Sequence, residues 1–223
     1  MAAYWHLDED VTVTLSAGRA VFLDVAQDRY AMLPPALNAA FVHWLCEPGS
    51  RMPDACLSAL AAKIALKVDH DALRPRAVSL TVPCEVPGAK LPTVRPKLGD
   101  AVAVARTVAR AKRLLARLPL RTNLERRRRA LDYQSPGRPD PQQVMVKASV
   151  YRAVRHLAPV PRVCLLDSLA LVDWLGDDLE AVQLVFGITA YPFGAHCWVQ
   201  TRRALLGDAP DTIGRYAPIF HLG

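Results

Sequence analysis

Apolar and polar residues alternate strictly over Val11-Thr-Val-Thr-Leu15, the period of a strand with one buried face. Ala20-Val-Phe-Leu-Asp-Val25 and Arg29-Tyr-Ala-Met-Leu33 are two further short runs rich in strand-forming residues. Ser16-Ala-Gly18 and Ala26-Gln-Asp28 separate the three runs with turn-forming residues. The pattern then changes. Pro34-Pro35 opens a helix over Ala36 to Leu45, which Glu47-Pro-Gly-Ser50 ends. A second helix is predicted from Asp54 to Lys67, with Leu57, Leu60, Ile64 and Leu66 giving an apolar face. Three strands followed by two helices form a first module over residues 1–83, small and winged-helix-like.

The segment 84–99 reads as an extended linker, because prolines recur through Val82 to Pro96 and hold the chain out of helix and sheet. The remainder, 100–223, reads as a second domain, so the fold class is α+β. It begins with a helix from Asp100 to about Leu118. The Arg126-Arg-Arg-Arg129 cluster sits beside Leu124 and Leu131 and reads as a solvated helix face or an anion site. A proline-containing loop, Ser135 to Pro141, precedes a helix from Val144 to Leu157.

Candidate chemistry lies in the last third of the chain. Cys164 opens the apolar helical pattern Cys164-Leu-Leu-Asp-Ser-Leu-Ala-Leu-Val-Asp-Trp-Leu175. A sulfur at a helix N-terminus faces free N–H groups and the positive end of the helix dipole, which favour a thiolate. His196 lies in Gly194-Ala-His-Cys-Trp-Val-Gln-Thr201, which reads as a strand. Asp208 follows the short apolar run Ala204-Leu205-Leu206. A hairpin centred on Arg202 would oppose His196 and Asp208 on one face, where the carboxylate can orient the ring. Its turn, Arg202-Arg203, lacks the Gly or Asn usual in tight hairpins. Thiol, imidazole and carboxylate in this arrangement make a Cys164–His196–Asp208 triad of a thiol hydrolase.

At these residues the chain resembles the lasso peptide leader peptidases, the B proteins of those systems. The resemblance lies in Cys164-Leu-Leu-Asp-Ser-Leu-Ala-Leu, Leu184-Val-Phe-Gly-Ile, Pro192-Phe-Gly-Ala-His-Cys-Trp-Val and Asp208. It covers roughly residues 100 to 223. It implies a transglutaminase-like (papain-like) cysteine peptidase fold, with Cys164 as nucleophile, His196 as base and Asp208 as the orienting acid. It also implies cleavage of a precursor peptide just after a Thr-X pair at the end of its leader. A separate, ATP-using, asparagine-synthetase-like cyclase would then act on the freed amine. Two positions depart from the family pattern. Cys197 stands where Ala is frequent after the His, and Gln200 where Glu is frequent two residues past the Trp.

The first module resembles the RiPP recognition element, which binds leaders of ribosomally made natural products. That resemblance rests on hydrophobic patterning and implies that a leader adds along the strand from Arg29 to Leu33. Arg29, Tyr30, Met32 and Leu33, with Lys63 and Lys67 from the following helix, are the expected peptide-binding residues.

Composition narrows the remaining classes. Apolar residues make up 52% of the 223, enough for real cores. No apolar run is long enough for a membrane span, and Met1-Ala-Ala-Tyr-Trp-His-Leu-Asp lacks the pattern of a signal peptide. Five cysteines without paired spacing point to a reducing cytoplasm. Cys46, Cys56, Cys84 and Cys197 read as buried thiols, and with His43 and His70 they form no metal-ligand pattern, so no metal or other cofactor is expected. The net charge of +7 suits an acidic peptide, whereas no nucleic-acid-binding motif accompanies it. Two other functions fit the same residues. One is an acyl transferase in which an amine replaces water at the thioester. The other is a non-catalytic peptide-binding scaffold for the cyclase.

Overall fold

The computed structural model of the protein describes residues 4–46, 54–63, 66–69, 80, 82, 91–132, 141–176 and 182–223; for 4–6, 66–69 and 130–132 it describes the backbone alone. Cys84, His70, Ile64, the stretch after Cys46, residues 83–90 and the loop at 135–140 lie outside the described residues. The fold is α+β. By contacts, the chain groups into two units. The first comprises Met1–Leu80 with Gly187–Ala195 and Tyr216–Phe220, and the second comprises Thr81–Phe186, His196–Arg215 and His221–Gly223.

In the first unit, β1 (Tyr4–Leu7) is followed by a three-stranded antiparallel sheet, β2 (Val11–Ser16), β3 (Arg19–Asp24) and β4 (Arg29–Met32). The β2–β3 register pairs Ser16 with Arg19 across the two-residue turn Ala17-Gly18, both of which have positive φ. That turn matches the twist of paired strands, and Gly18 adopts it without steric cost. At the next turn, the Asp24 carboxylate accepts the Gln27 N–H at 2.9 Å. Two helices follow, α1 (Pro35–Cys46) and α2 (Asp54–Ala61). Val11, Val13, Phe22, Leu33, Phe41, Trp44 and Leu60 close the core between sheet and helices, with Phe22 and Phe41 meeting edge to face at 5.1 Å. Buried Asn38 of α1 pins the helix to the hairpin. Its amide oxygen accepts the Ala20 N–H at 2.9 Å, and its amide nitrogen donates to the Gly18 carbonyl at 2.8 Å.

Two expectations for this region are corrected. The second helix stops at Ala61, and Leu66-Lys-Val-Asp69 is a strand, β5, that pairs antiparallel with β1 and sets Lys67 opposite His6. The alternation of apolar and polar residues in those four positions has the strand period, and the partner strand Tyr4–Leu7 went unread. Cys46 is exposed at the end of α1, whereas Cys56 is buried. Trp44 rather than Cys46 fills the inward position of the last turn.

The second unit holds α3 (Leu98–Arg117), α4 (Leu120–Asp132), α5 (Pro141–Val154) with a 3-10 turn (Arg155–Leu157), and α6 (Cys164–Leu175); α4 carries the arginine cluster, and the other three meet the expected helices. The α3 start is fixed by Asp100, whose carboxylate accepts the Lys97 N–H at 2.7 Å. Helix α6 is buried on most of its surface and ends at Gly176, which has positive φ. The arginine cluster of α4 is divided. Arg126, Arg128 and Arg129 are exposed, while Arg127 is buried and donates to Asp173 of α6 at 2.6 Å. Burial lowers the Arg127 pKa and raises that of Asp173, each against the attraction of the other.

A further sheet has the order β7-β6-β8, formed by β6 (Val182–Ala190), β7 (Phe193–Thr201) and β8 (Ala217–Leu222), with a short helix, α7 (Pro210–Ile213), before β8. Strand β7 contains the expected His196 strand. No helix among the described residues is long and apolar enough to cross a membrane.

Candidate active site

Cys164 is the first residue of α6, with Val163 in extended conformation at the cap and no capping side chain. The first intrahelical bond runs from the Asp167 N–H to the Val163 carbonyl at 2.8 Å. The N–H groups of the residues before Asp167 therefore have no acceptor within the helix, as at any helix start. Arg155 fixes this start. It is 1% exposed, and its Nε donates to Asp167 Oδ1 at 2.8 Å. Its remaining nitrogens donate to the Val160 and Pro161 carbonyls at 3.2 and 3.3 Å. One side chain thus ties the connection Ala158–Val163 to the first turn of α6. Tyr151 adds a hydroxyl donated to the Asp167 carbonyl at 3.1 Å. Sequence reading missed Arg155 and Asp167. The only signal was a charged residue at each of two otherwise apolar helical surfaces.

Ser168 sits one turn below Cys164, is buried, and donates to the Cys197 carbonyl at 2.8 Å. That bond joins α6 to β7 one residue from His196. On β7, His196, Trp198 and Gln200 share one face. The His196 and Trp198 rings lie nearly parallel, with centroids 6.3 Å apart. The Trp198 indole donates to Gln200 Oε1 at 2.8 Å, and Gln200 Nε2 donates to Gln183 Oε1 at 3.0 Å. Gln200 therefore has hydrogen-bonded partners for both ends of its amide although it is fully buried.

Asp208 reaches His196 by a route other than the one expected. The ladder after β7 pairs Gln200 with Leu205, one register step from a hairpin centred on Arg202. It runs from the Thr201 N–H on the Ala204 carbonyl to the Leu206 N–H on the Val199 carbonyl, at 2.8 and 2.9 Å. The Thr201 hydroxyl accepts the Arg203 and Ala204 N–H groups at 3.1 and 3.0 Å, and so supports a tight turn without Gly or Asn. In this register His196 and Asp208 are not opposed residues. The chain leaves the ladder after Leu206, and the Asp208 side chain turns back to His196, with Nε2 and Oδ1 3.1 Å apart.

With Nε2 facing Asp208, Nδ1 is the ring nitrogen left for the thiol. The hydrogen bond to His196 holds the Cys164 pKa below the ordinary thiol value, against burial, and the Cys197 and Leu165 backbone N–H groups act in the same sense. His196 is pushed up to about 9, first by its bond to Asp208 and second by its bond to Cys164. Both shifts favour a thiolate–imidazolium pair. Cys197 is different: it is buried on the other face of β7, and burial drives its thiol pKa strongly upward. Of the two neighbouring thiols, Cys164 is the one whose thiolate is favoured. A cavity of about 200 Å³ opens beside it, lined by Cys164, His196 and Asp208 together with Arg152, Arg155 and Arg162. That space takes a side chain or two rather than a whole ligand, so a bound polymer would lie mainly across the surface.

The expected peptide-binding residues of the first unit come together in part. Arg29, Tyr30, Met32, Leu33 and Lys63 line one open cleft of about 410 Å³ beside β4, an edge strand of its sheet among the described residues, together with Arg19. Leu33 is also a core residue, 1% exposed. Lys63 Nζ donates to the Met32 carbonyl at 3.1 Å. The Tyr30 ring meets Phe193 edge to face at 5.6 Å. Lys67 lies on β5, and its side chain is outside the described residues.

A family model for the transglutaminase-like superfamily matches residues 103–221, more than half of the 223-residue chain. No curated protein and no solved structure matches the chain significantly.

Proposed function

The chain belongs to the transglutaminase-like superfamily, and from that premise we propose that it is a cysteine peptidase that removes the leader from a lasso precursor peptide. The observation that carries the peptidase reading is the doubly bonded imidazole. His196 faces Asp208 through Nε2 and the Cys164 thiol through its other nitrogen. The lasso context is supported by the resemblance of the residues around Cys164 and His196, and by a basic edge-strand cleft in the first unit.

The proton of Cys164 moves to His196 Nδ1, and the thiolate attacks the carbonyl at the leader–core junction. The Cys164 N–H at the start of α6 is the available oxyanion donor. The imidazolium gives its proton to the leaving amine as the C–N bond breaks, which frees the core N-terminus and leaves the leader as a thioester. Water, deprotonated by His196, attacks the thioester, and the C–S bond breaks to return the thiolate. The sum is one peptide bond and one water consumed, one acid and one amine formed. No step needs a cofactor.

The cleft beside β4 holds the leader in this reading. A leader strand would bond to the open edge of the sheet, with Tyr30 and Met32 offering apolar contact and Arg19 and Arg29 offering cationic contact. Holding the leader raises the concentration of the junction near Cys164. The partner that takes the freed amine is an asparagine-synthetase-like cyclase, and the compartment is the cytoplasm. Precursor incubated with the protein and added hydroxylamine tests the chemistry. Hydrolysis gives a leader acid in water and a hydroxamate in competition. An amine-transfer enzyme would give the amine adduct and little acid.

A further inference from the structure

The cavity beside Cys164 is more cationic than a thiol–imidazole pair requires. Three arginines line it, Arg152, Arg155 and Arg162. Two are already held by one carboxylate. Buried Arg155 takes Asp167 Oδ1, and Arg162 Nε donates to Asp167 Oδ2 at 3.0 Å. The second carboxylate of the cavity, Asp208, is bonded to His196. Arg152 is exposed and has no hydrogen bond or ion pair among the described residues.

Arg152 also lines a second cavity, of about 360 Å³, between α5 and residues 91–94. Ser149, Arg152 and Ala153 border it and share one face of α5. Arg152 is therefore a lining residue of both cavities.

We infer that Arg152 is a specificity-determining residue of this site, and that it selects peptides carrying a carboxylate side chain close to the reacting carbonyl. The inference rests on the proposed thiol-peptidase reading. A guanidinium offers a planar fork of donors that fits a carboxylate in two places at once. Arg155 has spent that capacity on Asp167 and two carbonyls, and Arg162 holds Asp167 through its Nε, whereas Arg152 brings its whole fork to an acidic side chain. An exposed pair of this kind is screened by salt, which makes the preference ionic-strength dependent.

The test uses the intact protein and two pairs of small electrophiles. N-chloroacetyl-glutamate amide is compared with its glutamine counterpart, and a second pair carries one glycine as spacer. Labelling of Cys164 is followed by peptide mass spectrometry, with exposed Cys46 as internal reference. The glutamate probe of at least one pair should label Cys164 about fivefold faster than its neutral partner at low salt. The ratio should fall toward one at high salt and in Arg152→Gln, through loss of the glutamate-probe rate, and Arg152→Lys should restore part of it. A ratio of one in the unaltered protein for both pairs overturns the inference, as does a ratio that survives Arg152→Gln in a folded variant. Failure of the underlying reading looks different: the neutral probes would then label Cys164 no faster than Cys46 near neutral pH.

Discussion

His196 Nε2 lies 3.1 Å from Asp208 Oδ1, although no strand ladder sets the two residues opposite each other. The contact is made after the ladder has ended, by a side chain turned back toward β7. It fixes which ring nitrogen faces the thiol and supports the imidazolium. The two residues should therefore act as a unit with Cys164. His196→Ala should lower the rate of precursor cleavage by about 10⁴-fold or more. Asp208→Asn should cost one to two orders of magnitude less, because it keeps the shape and loses the charge. Single-turnover rates on one precursor decide this, and full activity in Asp208→Ala would move the orienting role to another residue.

The pKa shifts give a pH window. Cys164 is held low chiefly by His196, and His196 is pushed up to about 9 chiefly by Asp208. Alkylation of Cys164 by iodoacetamide should therefore begin at a lower pH than that of free cysteine. Cleavage should decline as pH rises through about 9, where the imidazolium that protonates the leaving amine is lost. The same sign holds for stability. A histidine raised from 6.5 contributes fully below about 6.5 and loses its contribution as pH climbs through about 9. In Asp208→Asn the alkaline limb should move to lower pH, since the first cause of the raised His196 value is gone. A limb that stays in place would detach Asp208 from this role.

How much of this could be read in the sequence differs from residue to residue. The strand at Val11, the helix start at Cys164 and the strand at His196 follow from period and punctuation, which are local properties. The partner of β1 was not legible, because pairing between Tyr4–Leu7 and Leu66–Asp69 is a long-range choice that four-residue strands scarcely encode. The hairpin register was one step off because it assumed that His196 and Asp208 are opposed, whereas Asp208 reaches the ring beyond the end of the ladder. Arg155 was missed for another reason. Its one signal, a charge on an otherwise apolar helical surface, does not say which carboxylate it is buried with.

Arg155 should be the most costly polar residue near the site. Arg155→Ala breaks a buried pair and frees two carbonyls, and should destabilise the protein by about 3–5 kcal/mol. Ser168→Ala removes one buried hydrogen bond and should cost about 1–2 kcal/mol. Urea denaturation measures both, and equal losses would contradict the clamp described for Arg155.

The edge-strand cleft should govern binding rather than chemistry. Tyr30→Ala and Arg29→Glu should weaken leader binding and raise KM about tenfold, while kcat stays near that of the unaltered protein. Fluorescence anisotropy with labelled leader, run beside the kinetics, separates the two effects. Unchanged leader affinity in both variants would place recognition elsewhere on the chain.

Cleavage of the precursor by Cys164→Ala, followed by intact-mass spectrometry, tests the central claim most directly. The substitution removes the attacking sulfur and little volume, so folding and leader binding should persist. The unaltered protein should yield leader and core whose masses sum to the precursor plus one water, and the variant should leave the precursor whole. Cleavage by the variant at the rate of the unaltered protein would contradict the assignment of the nucleophile to Cys164.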